Sequence, residues 1–151
     1  MGHDLMRMIS QNHKIRHSNN LNATLSALPI SAKRALFMAL KNIPPHKDVD
    51  HSTIFKIEAS SYAEAAGIDI SEAYRQLKDG AGFLRESYFS LNPKDILNMR
   101  DFLRIPDEYN KSNKVIVNLI SSVSYQNDDS TLFLKFNPEI LPLISKLKGD
   151  E

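Results

Sequence analysis

Tyr74, Arg75 and Lys78 stand close together in the stretch SEAYRQLKDGAGFL, residues 71–84. A guanidinium donates in a planar fork to phosphates or guanine edges, and an ammonium neutralises a phosphate as a compact point charge. Wound as a helix at about 100° per residue, these three side chains and Ser71 fall on one face. Ala73, Leu77, Gly80 and Leu84 fall in a separate narrow stripe that reads as a core face. The polar face is therefore expected to touch nucleic acid. Glu72 and Asp79 lie to one side of it, and the competing reading is a solvated surface on which they pair with the cations.

Other chemistries find little support. There is no glycine-rich phosphate-cradling loop, for which five glycines leave little room, and no serine sits in a glycine-flanked elbow. His13 and His17 in HKIRH have the four-residue spacing of a metal pair on a helix, but nothing supplies a third ligand of matching logic. His46 and His51 do not make the close pair that a nicking enzyme with a tyrosine nucleophile needs. The acidic residues are scattered. The expectation is a protein without enzymatic activity, metal or other cofactor.

Composition sets further bounds. The chain has 151 residues, enough for one domain with a real core, and no cysteine, which fits a reducing cytoplasm. No apolar run approaches the roughly 18 residues of a membrane span, and the N-terminus has no secretory signal. Net charge is +1, with +2 in residues 1–80 and −1 in the remainder. Domains that depend on phosphate contacts usually carry a larger basic excess, so DNA binding has to come from a local patch.

The elements that must position that patch follow from periodicity. Residues 1–17 read as a loose polar arm. In SAKRALFMALKNIPP, Ala32, Ala35, Leu36, Ala39, Leu40 and Ile43 recur at helical spacing, Ser31 is placed to cap, and Pro44 and Pro45 end the helix. Lys33, Arg34 and Lys41 are expected to point away from its apolar side. FKIEA alternates as a half-buried strand. In SSYAEAAGIDISEAYRQLK, Ser61 with Glu64 and Asp69 with Glu72 have capping-box spacing, and Gly67 suits a left-handed helix end. Two helices meeting at such a corner make a helix-turn-helix, whose second helix is the reader.

ESYFSL is a short strand, followed by a polar connection with a helix around Asp95–Leu103. KVIVNLISSVSY and TLFLKF read as two strands joined by a turn at Gln126–Ser130, and Asn137 with Pro138 opens a last helix bent at Pro142. The fold class is α+β, a winged helix: a helix-turn-helix with a small antiparallel sheet and a hairpin wing whose tip can reach along a duplex. In KVIVNLISSVSY, Val115, Val117 and Leu119 share one face, with Ile116 and Ile120 near the other. Because strict alternation fails, the strand is expected to need cover beyond one core. The simplest cover is a symmetric second copy, with Val115, Val117 and Leu119 at the dimer interface.

NLN, LPISAKR, AYRQLK and the ending SYQNDDSTLFLKFNPEILPLISKL resemble the N-terminal winged helix of theta-type plasmid replication initiators, the pi-, RepE- and RepA-like group, in order over residues 14–148. The resemblance implies a non-enzymatic, cytoplasmic protein that binds repeated sites (iterons) in double-stranded DNA at a plasmid origin. It also implies recruitment of a host initiator and the replicative helicase. As a homodimer such a protein represses its own gene at an operator inverted repeat, and as a monomer it initiates. In that pattern residues 18–148 form the N-terminal winged helix, and a second winged helix, absent before Glu151, makes the main base contacts. The chain is then either an isolated N-terminal domain or a short relative. A stand-alone winged-helix transcriptional repressor and a pure dimerisation module without DNA contact remain as alternatives.

Overall fold

The computed structural model describes residues 19–42, 50 and 52–147. The expected arm, the four histidines weighed above, and Ile43, Pro44 and Pro45 lie outside these residues.

Two leucine-bearing helices open the described chain. Helix α1, Asn19–Ser26, buries Leu21 and Leu25 and is an addition to the elements expected from sequence; helix α2, Ile30–Lys41, buries Ala32, Ala35, Leu36, Met38, Ala39 and Leu40 along one side. The α2 cap differs from expectation. Pro29 holds the N-cap position with its fixed φ of −58°, so the helix starts at Ile30 and Ser31 lies within its first turn.

Strand β1, Phe55–Glu58, alternates buried and exposed as its sequence implies. It runs directly into helix α3, Ala59–Ala66, with Glu58 as N-cap. The expected cap at Ser61 is not formed. The backbone N–H of Ala59 donates to Ser130 O at 2.9 Å, so a sheet-like bond reaches the first helical residue and leaves no room for a later start. Gly67 then ends α3 at φ +69°, ψ +37°, a conformation that costs residues with a Cβ about 1–2 kcal/mol. Its N–H and that of Ile68 both donate to Ala63 O, at 2.9 and 3.1 Å.

Helix α4, Ile70–Glu86, is the longest element and crosses both α2 and α3. Strand β2, Tyr88–Leu91, follows, then helix α5, Pro93–Asn98. That helix is shorter than expected and carries a complete capping box, Asn92 and Asp95 each accepting from the other's backbone N–H.

KVIVNLISSVSY is where the sequence reading fails most clearly. It is two strands, β3 (Val115–Asn118) and β4 (Ile120–Gln126), in two different sheets. β3 pairs antiparallel with β2, Val117 opposite Phe89. β4 pairs with β5, Thr131–Phe136, which also pairs with β1, giving the order β1-β5-β4. The alternation breaks at Leu119 because the chain changes sheets there, Leu119 and Ile120 both being buried at the crossing. The β4–β5 hairpin is the wing. Its turn, Asn127–Ser130, closes with Ser130 in the left-handed region at φ +48°. Asn137 caps a 3₁₀ turn at Pro138–Ile140 that leads into helix α6, Leu141–Leu147. The helices and both sheets enclose one apolar core.

Candidate nucleic-acid interface

Helix α4 starts where its sequence says it should. Asp69 Oδ1 accepts from the backbone N–H of Glu72 at 2.8 Å, and the side chain of Glu72, instead of returning to complete a capping box, turns along the helix toward Arg75. Ala73, Leu77, Gly80 and Leu84 are buried, which fixes the rotation of the helix about its axis. Ser71 and Arg75 are exposed and Lys78 is half-buried, all on the side away from that stripe.

Tyr74 departs from the expected exposed face. It is only 7% exposed, and its hydroxyl donates to Asn127 Oδ1 in the wing turn at 2.8 Å. Burial, with Tyr125 nearby, pushes its phenol pKa up. The β4–β5 hairpin packs on α4 and covers the flank that carries positions 74 and 81, so the apolar face is broader than the four-residue stripe suggested. Tyr74 thus ties the wing to the reader helix. Lys78 lies over its ring, the ammonium 4.6 Å from the centroid, and among the described residues no carboxylate is within ion-pair distance of that ammonium.

Arg75 is held by both neighbouring carboxylates. Its Nε donates to Glu72 Oε2 at 3.0 Å, one terminal nitrogen donates to Glu72 Oε1, and the other reaches Asp79 Oδ2 at 3.0 Å. The guanidinium, helped by Gln76, holds the Glu72 carboxyl down at about 2. Glu72 in turn raises the pKa of Arg75. Taken together, Glu72, Arg75, Lys78 and Asp79 carry no net charge. The wing tip adds two exposed carboxylates, Asp128 and Asp129, which repel phosphate.

Elsewhere, Lys41 is exposed as expected, while Arg34 is not a free surface cation. Its guanidinium lies 5.9 Å from the centre of the Tyr62 ring, and its Nε is buried with no hydrogen-bond partner. The side chains expected at a dimer interface, Val115, Val117 and Leu119, are turned into this chain's own core, at 7%, 2% and 2% exposure. The outward face of the β2–β3 ribbon carries Tyr88 and Ile116 instead, and Phe83 borders the same shallow cleft as Tyr88. Among the described residues no helix is long and apolar enough to cross a membrane.

The comparisons with known proteins agree with this architecture. Residues 14–150 match the family described as initiator replication protein, WH1. The chain is 39% identical over 146 residues to the PI protein of Escherichia coli, covering 96% of this chain and 48% of that protein. A crystal structure of the Pi initiator protein in complex with iteron DNA superposes with a TM-score of 0.66 at 38% identity, over 87% of this chain and 49% of that one. The WH1 domain of MSBI1.176, a replication protein isolated from a multiple sclerosis patient, shares the fold at a TM-score of 0.62 and 21% identity, over 86% and 90% of the two chains. The chain spans about half the length of the PI protein, and over that span it belongs to the WH1 family of initiator replication proteins.

Proposed function

We propose that this chain is the DNA-binding and dimerising winged-helix part of a plasmid replication initiator. It acts in the cytoplasm without enzymatic activity or cofactor, binds double-stranded origin iterons, and works with a host initiator and the replicative helicase. As a dimer it represses its own gene at an operator inverted repeat. The observation that carries the reading is the reader helix itself. Within a fold shared with an initiator solved on iteron DNA, α4 turns Ser71, Arg75 and Lys78 outward while Leu77 and Gly80 lock it against the core. Contacts from this face position the domain mainly through phosphates. Tyr74 contributes indirectly, through the wing.

Fluorescence anisotropy with an iteron duplex of the Escherichia coli PI protein, measured across salt, tests this. Replacing both Arg75 and Lys78 with Ala weakens binding and flattens the salt dependence by about one unit of slope per lost phosphate contact. Folding changes by about 1 kcal/mol, the scale of an exposed ion pair and of the contact between the half-buried Lys78 and the Tyr74 ring. Unchanged affinity and slope in the double variant would remove α4 from the interface. The balanced charge of that face favours one second reading, the dimerisation module. It predicts no salt-sensitive duplex binding at all.

For the dimer, the supporting surface is Ile116, 55% exposed, on the same ribbon face as Tyr88, which is about half exposed. Among the described residues β3 has no strand on its outer edge, which leaves an open template for a second copy. Ile116→Glu is expected to convert a species of twice 17.1 kDa into a folded monomer in light scattering with circular dichroism. A folded variant that stays dimeric excludes this ribbon.

A further inference from the structure

The reader helix holds its own competitor for DNA. Arg75 is an exposed donor on the outward face of α4, and every direction of its fork that the structure shows in use ends on a carboxylate of the same helix. Exposed ion pairs of this kind commonly contribute little because both side chains are free to wander. Here one partner is anchored. Tyr62, 1% exposed, donates from its hydroxyl to Gln76 Oε1 at 2.9 Å, and Gln76 Nε2 donates to Glu72 Oε1 at 3.2 Å. A buried phenol in α3 thus fixes, through Gln76, the carboxylate that grips Arg75. Asp79 closes the fork one turn further on.

We propose that Glu72 and Asp79 form a clamp on Arg75 that suppresses engagement of random duplex, Arg75 being released only where a well-placed phosphate or guanine edge replaces both carboxylates. The proposal rests on the reading of α4 as a DNA-contacting helix. A duplex approaching this face meets a cluster with no net positive charge, in which the guanidinium's donors are already directed onto two carboxylates. Only a contact that orients the fork offsets the loss of two ion pairs, so loosely seated DNA gains nothing from Arg75. The clamp does not open by protonation near neutrality. A lowered carboxyl pKa means the pair is intact above the ordinary value of 4.5 and is lost only as pH falls toward about 2. A competing anion is the key that remains. Gln76 and Tyr62 are positioning residues, and Arg75 is the group that touches DNA.

A double-mutant cycle tests the clamp, with an iteron duplex of the Escherichia coli PI protein and a random-sequence duplex of equal length as probes. E72Q/D79N, which keeps the size of both side chains, is expected to bind random duplex roughly three- to tenfold more tightly, as the loss of two competing ion pairs allows. Its affinity for the iteron duplex rises less, so discrimination falls. Removing two negative charges would by itself raise affinity for any polyanion, so the deciding quantity is the coupling to Arg75. On the random duplex, R75A must cost a larger factor in the E72Q/D79N background than in the wild-type chain, because there only the unclamped guanidinium is free to engage it. An equal cost of R75A in both backgrounds overturns the clamp while leaving the DNA-contact reading intact. Loss of binding to neither probe on R75A/K78A overturns that reading, and the clamp with it. The expected result is a wild-type chain that binds random duplex weakly and an unclamped one whose gain on that duplex is largely lost with R75A. Circular dichroism confirms that each variant is folded.

Discussion

Leu77→Ala is expected to cost the fold roughly 2–5 kcal/mol, the usual range for truncating a fully enclosed leucine. Leu77 is 0% exposed and sits midway along α4, on the face that crosses α2 and α3. Its deletion leaves a cavity walled by several elements at once, and backbone held by two other helices has little freedom to collapse into it. For a domain of this length the midpoint of thermal unfolding should fall by roughly 4–20 °C. Denaturant melts of the variant measure the loss directly. A change below about 0.5 kcal/mol, the size of a surface substitution, would place Leu77 outside the core. It would also rotate the helix, and Arg75 and Lys78 would no longer face outward. The stability of one buried leucine therefore bears on the interface assigned to the opposite side of the same helix.

That dependence explains which parts of the structure were legible in the sequence. The corner between α3 and α4 is encoded locally, by a glycine where φ must be positive, an aspartate three residues before an unpaired N–H, and a 3.6-residue apolar period. Each signal lies within a few positions of the bond it makes. Glu72, Arg75 and Asp79 were legible for the same reason, since helix neighbours three and four apart must meet. Tyr74 was not, because the residue that covers it, Asn127, is 53 positions away and nothing near position 74 announces a hairpin. An aromatic residue at the margin of an apolar stripe becomes surface or core according to what packs beside it.

The β3–β4 error has a different origin. A strand buried on both faces and a strand that changes sheets halfway both break the rule of alternation, and the pattern alone does not distinguish them. As one over-apolar strand, Lys114–Tyr125 would place a dimer interface at Val115, Val117 and Leu119. Their partners are in fact the strands and helices of this same chain. Helix α1 is not legible although Leu21, Leu25 and Leu28 carry helical spacing, because eight residues are too few to stand out against an asparagine-rich surrounding.

Gly80→Ala and Gly82→Ala are expected to move stability in opposite directions, although the two positions lie two residues apart on one helix. In an exposed helix interior, alanine in place of glycine stabilises by about 1 kcal/mol, because the unfolded chain loses freedom and the helix gains a better former. Gly82 follows that rule. A Cβ built there meets nothing within 4 Å, so Gly82→Ala should raise stability by up to about 1 kcal/mol. At Gly80 the same methyl group would stand 2.5 Å from the carbonyl oxygen of Ser31, 2.7 Å from its carbon and 3.0 Å from the nitrogen of Ala32. All three atoms are backbone in the first turn of α2, so no side-chain rotation relieves the clash and the two helices must part. Overpacking a core costs about 1–3 kcal/mol, and contact with rigid backbone belongs at the upper end, which outweighs the gain in helix propensity. Parting α4 from α2 also shifts the face that carries Arg75 and Lys78, so Gly80→Ala should weaken duplex binding where Gly82→Ala does not. Parallel denaturant melts of the two variants decide the matter. Equal gains in stability would mean that α4 does not cross α2 at Ser31, and that the glycine in the stripe serves no close approach.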